Sequence, residues 1–162
     1  YQEIMQDELA LIEAHMPDAK GLTFVGSGPL PLSSIIVALL KPEWSFDCVD
    51  FDAKACALSS ALIEKLGLSH RINVVQAKAE EHSYNPHFAT MIASLIDNKS
   101  AVYDKVGLDG LKHFMVRDAE DVFQFLYTPA ENPTETLWRC AGQTQPSSTR
   151  INTTKVFTKR SM

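Results

Sequence analysis

Two glycines stand between a short apolar run and a helix start in residues 24–31, which read FVGSGPLP. Gly26 and Gly28 would let a ligand contact the backbone, and the free amides at a helix start can hold a carboxylate. A dinucleotide-binding turn carries a third glycine at the last position of GxGxxG, where this chain has Pro31. The segment therefore predicts a site for a carboxylate rather than a pyrophosphate, with an ordinary strand-to-helix turn as the alternative.

Acidic residues at the end of the next strand-like run extend this prediction. Asp50 follows the glycines by roughly 20 residues, the spacing at which such a turn is paired with a carboxylate that binds a ribose diol. Phe51, beside it, could lie against an adenine ring. Asp52 is instead predicted to be the N-cap of a helix. A glycine turn without a pyrophosphate signature and an acidic strand end together suit an adenosine joined to an amino acid, so S-adenosylmethionine is the expected ligand.

The elements that would position these residues follow from the alternation of apolar and polar segments. Strands are predicted over residues 22–25, 45–50, 71–76, 88–96, 111–116, 136–140 and 153–159. Helices are predicted over residues 1–15, 32–40, 53–66, 98–106 and 118–127. This alternation is typical of an α/β fold with a seven-stranded, mostly parallel sheet. The last two strands, joined by a polar hairpin loop at 143–148, are predicted to be antiparallel.

Composition narrows the class of protein. With 162 residues, 45% of them hydrophobic and 22% charged, the chain is expected to form one packed domain over residues 1–162, led by a helix within residues 1–20. A net charge of −5 argues against nucleic acid as a partner, because such binding needs clustered lysine and arginine. The longest apolar run, residues 35–40, is too short to span a membrane, so no membrane partner is expected.

Cysteine and histidine patterns predict neither a disulfide framework nor a metal site. The three cysteines, Cys48, Cys56 and Cys140, form no CxxC pair, which favours a reducing, cytoplasmic location. The glutamates and histidines within residues 80–87 match no common metal-ligand spacing, and a solvated charged loop is the simpler interpretation. No metal is therefore expected.

Several segments resemble one protein family over most of the chain. They are FVGSGPLPLSSI at residues 24–35, VDFDAKA at 49–55, ASLI at 93–96 and MVRDAEDVFQFLYTP at 115–129. Tyr1, Ile4 and Glu8 also follow the family's spacing of tyrosine, aliphatic residue and glutamate before the first strand. By these motifs the chain resembles the nicotianamine synthases and the related bacterial opine-metallophore synthases.

The resemblance implies a Rossmann-like, class I methyltransferase fold. It also implies transfer of the aminocarboxypropyl group of S-adenosylmethionine to a small amine or amino-acid acceptor, with Glu8 as the catalytic base and with Arg117 and Tyr127 binding the acceptor. Without the resemblance, Glu8 would be an exposed helix carboxylate, and Arg117 a strand-end arginine paired with the acidic residues of 118–121. The alternatives are an S-adenosylmethionine-dependent methyltransferase and a non-catalytic binding or interaction domain.

A larger set of residues is expected around the donor, S-adenosylmethionine. They are Gly26, Ser27, Gly28, Pro29, Asp50, Phe51, Ala77, Lys78, Ala79 and Ser94. The chain departs from the family at Lys78, where an acidic residue is usual, and at residues 88–89, where the family has an aspartate, so adenine contacts are expected to differ. The family's N-terminal helical bundle is expected to be absent from residues 1–162. Pairing into a homodimer is a further expectation.

Overall fold

The computed structural model describes residues 2–119, 132–145 and 152–161. Within these ranges the strands are β1 (Gly21–Val25), β2 (Ser45–Asp50), β3 (Ile72–Gln76), β4 (Ala89–Ile92), β5 (His113–Ala119), β6 (Trp138–Gln143) and β7 (Asn152–Lys159). The helices are α1 (Gln2–His15), α2 (Leu32–Leu40), α3 (Ala53–Lys65) and α4 (Lys99–Leu108). The predicted α/β class is confirmed.

The strands form a seven-stranded sheet in the order β3-β2-β1-β4-β5-β7-β6. β1 pairs in parallel with β2 on one side and with β4 on the other. Because the strand order reverses at β1, the loops that follow β1 and β4 leave a crevice at the carboxyl ends of these strands, where open α/β sheets bind ligands. β7 pairs antiparallel with both β5 and β6, which confirms the predicted antiparallel tail.

Helix α1 packs against α2, β6 and β7. Its buried residues are Met5, Glu8, Leu9 and Ile12, and their spacing of three and four places them on one helix face. The three apolar members join the core around β1 and α2. Glu8 is the carboxylate of this stripe, and a buried carboxylate requires a partner.

Helix α3 begins as the sequence predicts, with Asp52 at the N-cap. The Asp52 carboxylate accepts hydrogen bonds from the amides of Lys54 and Ala55, at 2.8 and 3.4 Å. Caps of this kind stabilise a helix by about 1 kcal/mol. At the other end the chain turns through Gly67, which has a left-handed φ of 69°. The cap fixes α3 directly after the strand end that carries Asp50.

Strand β4 is shorter than predicted, because it ends at Ile92 rather than at residue 96. The Ala93 amide donates to the Val25 carbonyl, and the Ile96 amide then turns back to the Ala93 carbonyl. The side chains of Ala93 and Ile96 surround Gly26 instead of continuing the sheet. An apolar run alone does not distinguish a buried strand from a buried turn, which is why the predicted boundary is wrong.

Strand β5 extends further than predicted, from His113 to Ala119. The helix start predicted at Asp118 is wrong, because Asp118 pairs with Thr153 in the antiparallel ladder between β5 and β7. The remainder of that helix, from residue 120 to 127, lies outside the described residues. The predicted hairpin loop starts too early, since Gln143 belongs to β6, and its residues 146–148 are likewise outside the described ranges.

Apolar side chains cover both faces of the sheet. One cluster joins α1 and α2 to the sheet, and the other joins α4 to Val25, Ile92 and Phe114. Trp44 and Trp138 are buried, one in each cluster. None of the helices in residues 2–119, 132–145 and 152–161 is long and apolar enough to cross a membrane.

Candidate functional site

The glycine turn after β1 leaves part of its backbone accessible from one side. Gly26 and Gly28 both have positive φ angles, of 77° and 65°. A Cβ built at Gly26 would lie 2.7 Å from the Cδ1 atom of Ile96, so a side chain there would collide with the loop after β4. A Cβ built at Gly28 would have no atom of the described residues within 4 Å. At Gly26 the turn is therefore packed against the loop after β4, and at Gly28 it is accessible.

Asp50 is tied to this turn by its side chain. The Gly28 amide donates to Oδ2 of Asp50 at 2.9 Å, and the Asp52 amide donates to Oδ1 at 3.0 Å. A carboxylate has about four acceptor positions, so two amide bonds orient it without saturating it. The sequence places Asp50 correctly at the end of β2. It does not reveal the bond to Gly28, which links the loops after β1 and β2.

A pocket of about 180 Å³ opens beside the glycine turn, at the carboxyl ends of β1 and β4. Its lining residues are Phe24, Gly26, Ser27, Leu30, Pro31, Leu32, Ser33, Ala93, Ser94 and Arg117. The pocket thus joins predicted donor residues to the predicted acceptor residue Arg117. The Ser27 hydroxyl is buried and has no hydrogen-bond partner in the described parts of the chain, which leaves it available to a ligand.

Arg117 and Glu8 form a buried, two-pronged ion pair. Arg117 Nε donates to Glu8 Oε1 and Arg117 Nη2 donates to Glu8 Oε2, each at 2.8 Å. Glu8 is 2% exposed and Arg117 is 9% exposed. The alternative of an exposed Glu8 is therefore wrong. Two of the acidic residues that the alternative for Arg117 named, Glu120 and Asp121, lie outside the described residues. Asp118 pairs with Lys155 at 3.0 Å.

Two hydroxyl groups also bond to this ion pair, and no sequence pattern predicts either contact. The Ser33 hydroxyl accepts a hydrogen bond from Arg117 Nη2 at 2.9 Å. The Thr154 hydroxyl donates to Glu8 Oε1 at 2.5 Å. The Arg117 guanidinium also lies over the ring of Phe24, 4.9 Å from its centroid. Only the register of the sheet, which places Thr154 opposite Arg117, could have indicated that threonine.

The predicted adenine side of the site is more open and lies outside the 180 Å³ pocket. Phe51 is 72% exposed. The Ala77 amide donates to the Asp50 carbonyl at 3.0 Å, which brings the loop after β3 next to Asp50. Lys78 faces solvent, and its Nζ lies 3.7 Å from Oε1 of Glu81. The Ala79 carbonyl already accepts a hydrogen bond from the Tyr84 hydroxyl. Pro29 is exposed at the surface.

Tyr127 and Lys99 are two further residues of interest for the site. Tyr127, predicted to bind the acceptor, lies outside the described residues. Lys99, which the sequence reasoning missed, is buried, and its Nζ donates to the carbonyls of Ser94 and Ile96 at 2.9 and 2.7 Å. Lys99 thereby fixes the loop that carries Ser94 into the pocket.

Titratable groups near the turn do not supply a nucleophile. Burial raises the pKa of the Cys48 thiol to about 11. Burial, together with the nearby carboxylates of Asp50 and Asp52, also raises the pKa of Cys56, whose Sγ contacts the Asp50 carbonyl. Both thiols are therefore held in their unreactive protonated form at neutral pH. Among the residues that the structure describes, no group of three or more His, Cys, Asp or Glu side chains is placed to hold a metal ion.

Comparison with protein families identifies the family of this chain. A sequence model described as "Nicotianamine synthase protein" matches residues 1–162, the whole chain. The chain belongs to the nicotianamine synthase family. The resemblance found in the glycine turn, the strand ends and the segment around Arg117 is thus confirmed.

Curated members of the nicotianamine synthase family are longer than this chain. Nicotianamine synthase 3 of Oryza sativa subsp. indica is 32% identical over 152 residues, which cover 83% of this chain and 43% of that protein. Nicotianamine synthase 2 of Arabidopsis thaliana is 31% identical over 134 residues, which cover 75% of this chain and 40% of that protein. The chain therefore spans less than half the length of these relatives.

Solved structures confirm the predicted methyltransferase-like fold. A variant of MtNAS in complex with S-adenosylmethionine superposes with a TM-score of 0.80 at 24% identity, over 97% of this chain and 62% of that one. MtNAS in complex with MTA and tNA gives 0.78 at 23% identity, over 98% and 61%. The mitomycin 7-O-methyltransferase MmcR gives 0.72 at 11% identity, over 96% and 54%. The nicotianamine synthase family domain thus shares its architecture with methyltransferases.

Proposed function

We propose that this nicotianamine synthase family chain binds S-adenosylmethionine and transfers its aminocarboxypropyl group to the amine of a small amine or amino-acid acceptor. The observation that carries the proposal is the single pocket in which Gly26, Ser27 and Ser94 meet Arg117. A donor bound at the glycines would have its amino-acid end directed toward Arg117. The named relatives and the MtNAS complex with S-adenosylmethionine support this assignment.

The residues around the glycine turn fit the amino-acid part of such a donor. The buried Ser27 hydroxyl lacks a partner within the described residues, and Gly28 leaves its backbone accessible. Asp50, oriented by two amides, is the proposed partner of the ribose hydroxyls. The remaining residues proposed to surround the donor are Pro29, Phe51, Ala77, Lys78, Ala79 and Ser94.

Orientation decides which group of the donor is transferred. The sulfonium activates three carbons, and the carbon that reacts is the one held about 3 to 3.5 Å from a deprotonated amine. In this proposal Arg117 attracts a carboxylate of the acceptor and so turns its amine toward the aminocarboxypropyl carbon. Glu8, hydrogen-bonded to Arg117, is the proposed acceptor of the amine proton, and Tyr127 is proposed to bind the same substrate.

The nucleoside that is released tests the reaction. The purified protein is incubated with S-adenosylmethionine and a series of amino-acid amines, and the products are separated by chromatography and mass spectrometry. Methylthioadenosine is the expected product. S-adenosylhomocysteine without methylthioadenosine would replace the proposal with methyl transfer. If calorimetry detects binding of the donor but no product forms, the chain is a non-catalytic binding domain.

The setting of this activity is proposed on separate grounds. The chain is proposed to act in the cytoplasm, because it keeps Cys48 and Cys56 as buried free thiols in place of a disulfide framework. Residues 1–162 are proposed to form one donor-binding domain. Homodimer formation stays a prediction, which light scattering of the purified protein would test directly.

A further inference from the structure

We infer that Thr154 and Ser33 are positioning residues, which hold the Glu8–Arg117 ion pair in one orientation at the acceptor end of the pocket. The inference rests on the proposed function, because it concerns the residues that the acceptor would meet. It assigns to two hydroxyl groups a role that neither the motifs nor the family comparison indicates.

The sheet register brings the first of these residues to the ion pair. Arg117 on β5 and Thr154 on β7 are direct partners in the antiparallel ladder. Side chains that are directly opposite in a ladder lie on the same face of the sheet, and here both reach Glu8 of α1. Thr154 is itself fixed, since its amide donates to the Thr144 hydroxyl at 2.9 Å. Glu8 therefore accepts a hydrogen bond from the hydroxyl of a residue whose backbone is fixed in the sheet.

The second residue bonds to a guanidinium nitrogen that Glu8 also uses. Ser33 stands in the first turn of α2, and its hydroxyl accepts from the Arg117 Nη2 atom, which also bonds to Glu8 Oε2. The ring of Phe24 covers one face of the same guanidinium. Arg117 is thus held by a carboxylate, a hydroxyl and an aromatic ring at once. These contacts come from α1, α2 and β1, and β7 reaches the pair through the bond from Thr154 to Glu8.

The consequence for transfer is a loss of alignment when either hydroxyl is removed. An error of about 1 Å in the position of a reacting group can lower a rate about a hundredfold. Thr154→Val removes the hydroxyl and keeps the volume of the side chain. We expect kcat for aminocarboxypropyl transfer to fall about tenfold to a hundredfold, the equivalent of one hydrogen bond to a charged group, with the KM for the donor unchanged.

Thr90→Val is the matched control for this substitution. Thr90 is fully buried, and its hydroxyl has no partner among the described residues. It alternates along β4 with Met91, whose side chain belongs to the core on the α1 side, so Thr90 faces the other side of the sheet. The same change of hydroxyl to methyl should leave kcat at the wild-type value. Thr154→Ser, which restores the hydroxyl, should return kcat to within about threefold of wild type.

A spectroscopic measurement separates this inference from the proposed reaction. The ¹⁵N-detected NMR signal of the Arg117 Nε–H group, assigned by its absence in Arg117→Lys, reports whether the pair is held. In the wild type this proton should exchange slowly with solvent, because it is buried and bonded to Glu8. Exchange should become at least about tenfold faster in Thr154→Val and should stay slow in Thr154→Ser and Thr90→Val.

Ser33→Ala, with Ser59→Ala as its control, repeats the test at the hydroxyl that bonds to Arg117 directly. Ser59 is fully buried, with no partner for its hydroxyl in the described ranges. Unchanged exchange of the Arg117 signal in both Thr154→Val and Ser33→Ala would overturn the inference. Equal acceleration in the Thr90 or Ser59 control would do so as well, since it would indicate a general loosening of the fold. If the wild type releases no methylthioadenosine, the proposed reaction fails, and the exchange rates alone decide the positioning role.

Discussion

The donor half and the acceptor half of the candidate site are built in different ways. The donor half, around Gly26, Gly28 and Asp50, comes from two consecutive strand-to-helix turns, and its joining bond links positions 22 residues apart. The acceptor half, around Arg117, joins residues 84, 109 and 146 positions apart in the chain. The donor half is open and formed by backbone, whereas the acceptor half is buried and formed by side chains. Local motifs can encode the first, but only the complete sheet can assemble the second.

The largest effect is expected from breaking the acceptor half. Arg117→Ala leaves the Glu8 carboxylate buried without its cationic partner, and removing one member of a buried pair costs about 3 to 5 kcal/mol. Urea unfolding of the variant and the wild type measures this loss in the free energy of unfolding. Lys41→Ala is the control, because the Lys41–Glu13 pair has a similar distance, 2.7 Å against 2.8 Å, but is solvent-exposed. Exposed pairs contribute about 0 to 1 kcal/mol. Equal losses in the two variants would contradict the contrast between the halves.

A smaller effect is expected where the donor half is packed most tightly. Gly26→Ala would force a left-handed φ on alanine and push its Cβ against Ile96, and overpacking of this kind costs about 1 to 3 kcal/mol in addition to the strain. Gly67→Ala has nearly the same φ, 69°, but finds no described atom within 4 Å of the new Cβ. The difference between the two unfolding free energies therefore measures the collision alone. If Gly26→Ala lowers the free energy of unfolding no more than Gly67→Ala does, the loop after β4 moves to accommodate the new Cβ. The turn is then not fixed by its packing against that loop.

The local structure around the donor half is predicted well for a physical reason. A strand end, a glycine turn and a helix N-cap are local structures, so Gly26, Asp50 and Asp52 could each be assigned from their neighbours in the chain. The predictions failed where a residue's environment is set by distant elements. Residues 93–96 looked like strand because three of the four are apolar, although Ala93 and Ile96 pack on the glycine turn instead of continuing the sheet. Asp118 looked like a helix start, although pairing with β7 keeps it in a strand.

The acceptor half shows the limit of sequence reasoning more clearly. The family resemblance selected Glu8 and Arg117 but did not indicate that they bond to one another. That contact requires the register between β5 and β7 and the packing of α1, neither of which local periodicity fixes. Thr154 lies in none of the family motifs, and the motif that contains Ser33 does not indicate its contact with Arg117. They become visible only because a buried ion pair needs further hydrogen bonds, and these two hydroxyls supply them.

The open donor half should lose affinity rather than stability when its carboxylate is removed. Asp50→Ala is expected to weaken binding of S-adenosylmethionine by about 1.5 to 3 kcal/mol, the value of hydrogen bonds to a charged group. Isothermal titration calorimetry measures the change. The same variant loses the bond that holds the Gly28 amide, so Asp50→Asn, which keeps one acceptor oxygen, separates the loss of charge from the loss of loop geometry. Unchanged affinity in Asp50→Ala would remove Asp50 from the donor site.

The smallest effect is expected from Asp52, which stands two residues from Asp50 but has a different task. Asp52→Ala removes the N-cap of α3 and should lower the free energy of unfolding by about 1 kcal/mol, measured by urea titration. Donor affinity should stay at the wild-type value, because the bond from Asp52 to Asp50 uses the backbone amide, which alanine retains. A weaker donor affinity together with unchanged stability would reverse the assignments of the two aspartates. The donor half would then be organised by its helix cap rather than by the strand end.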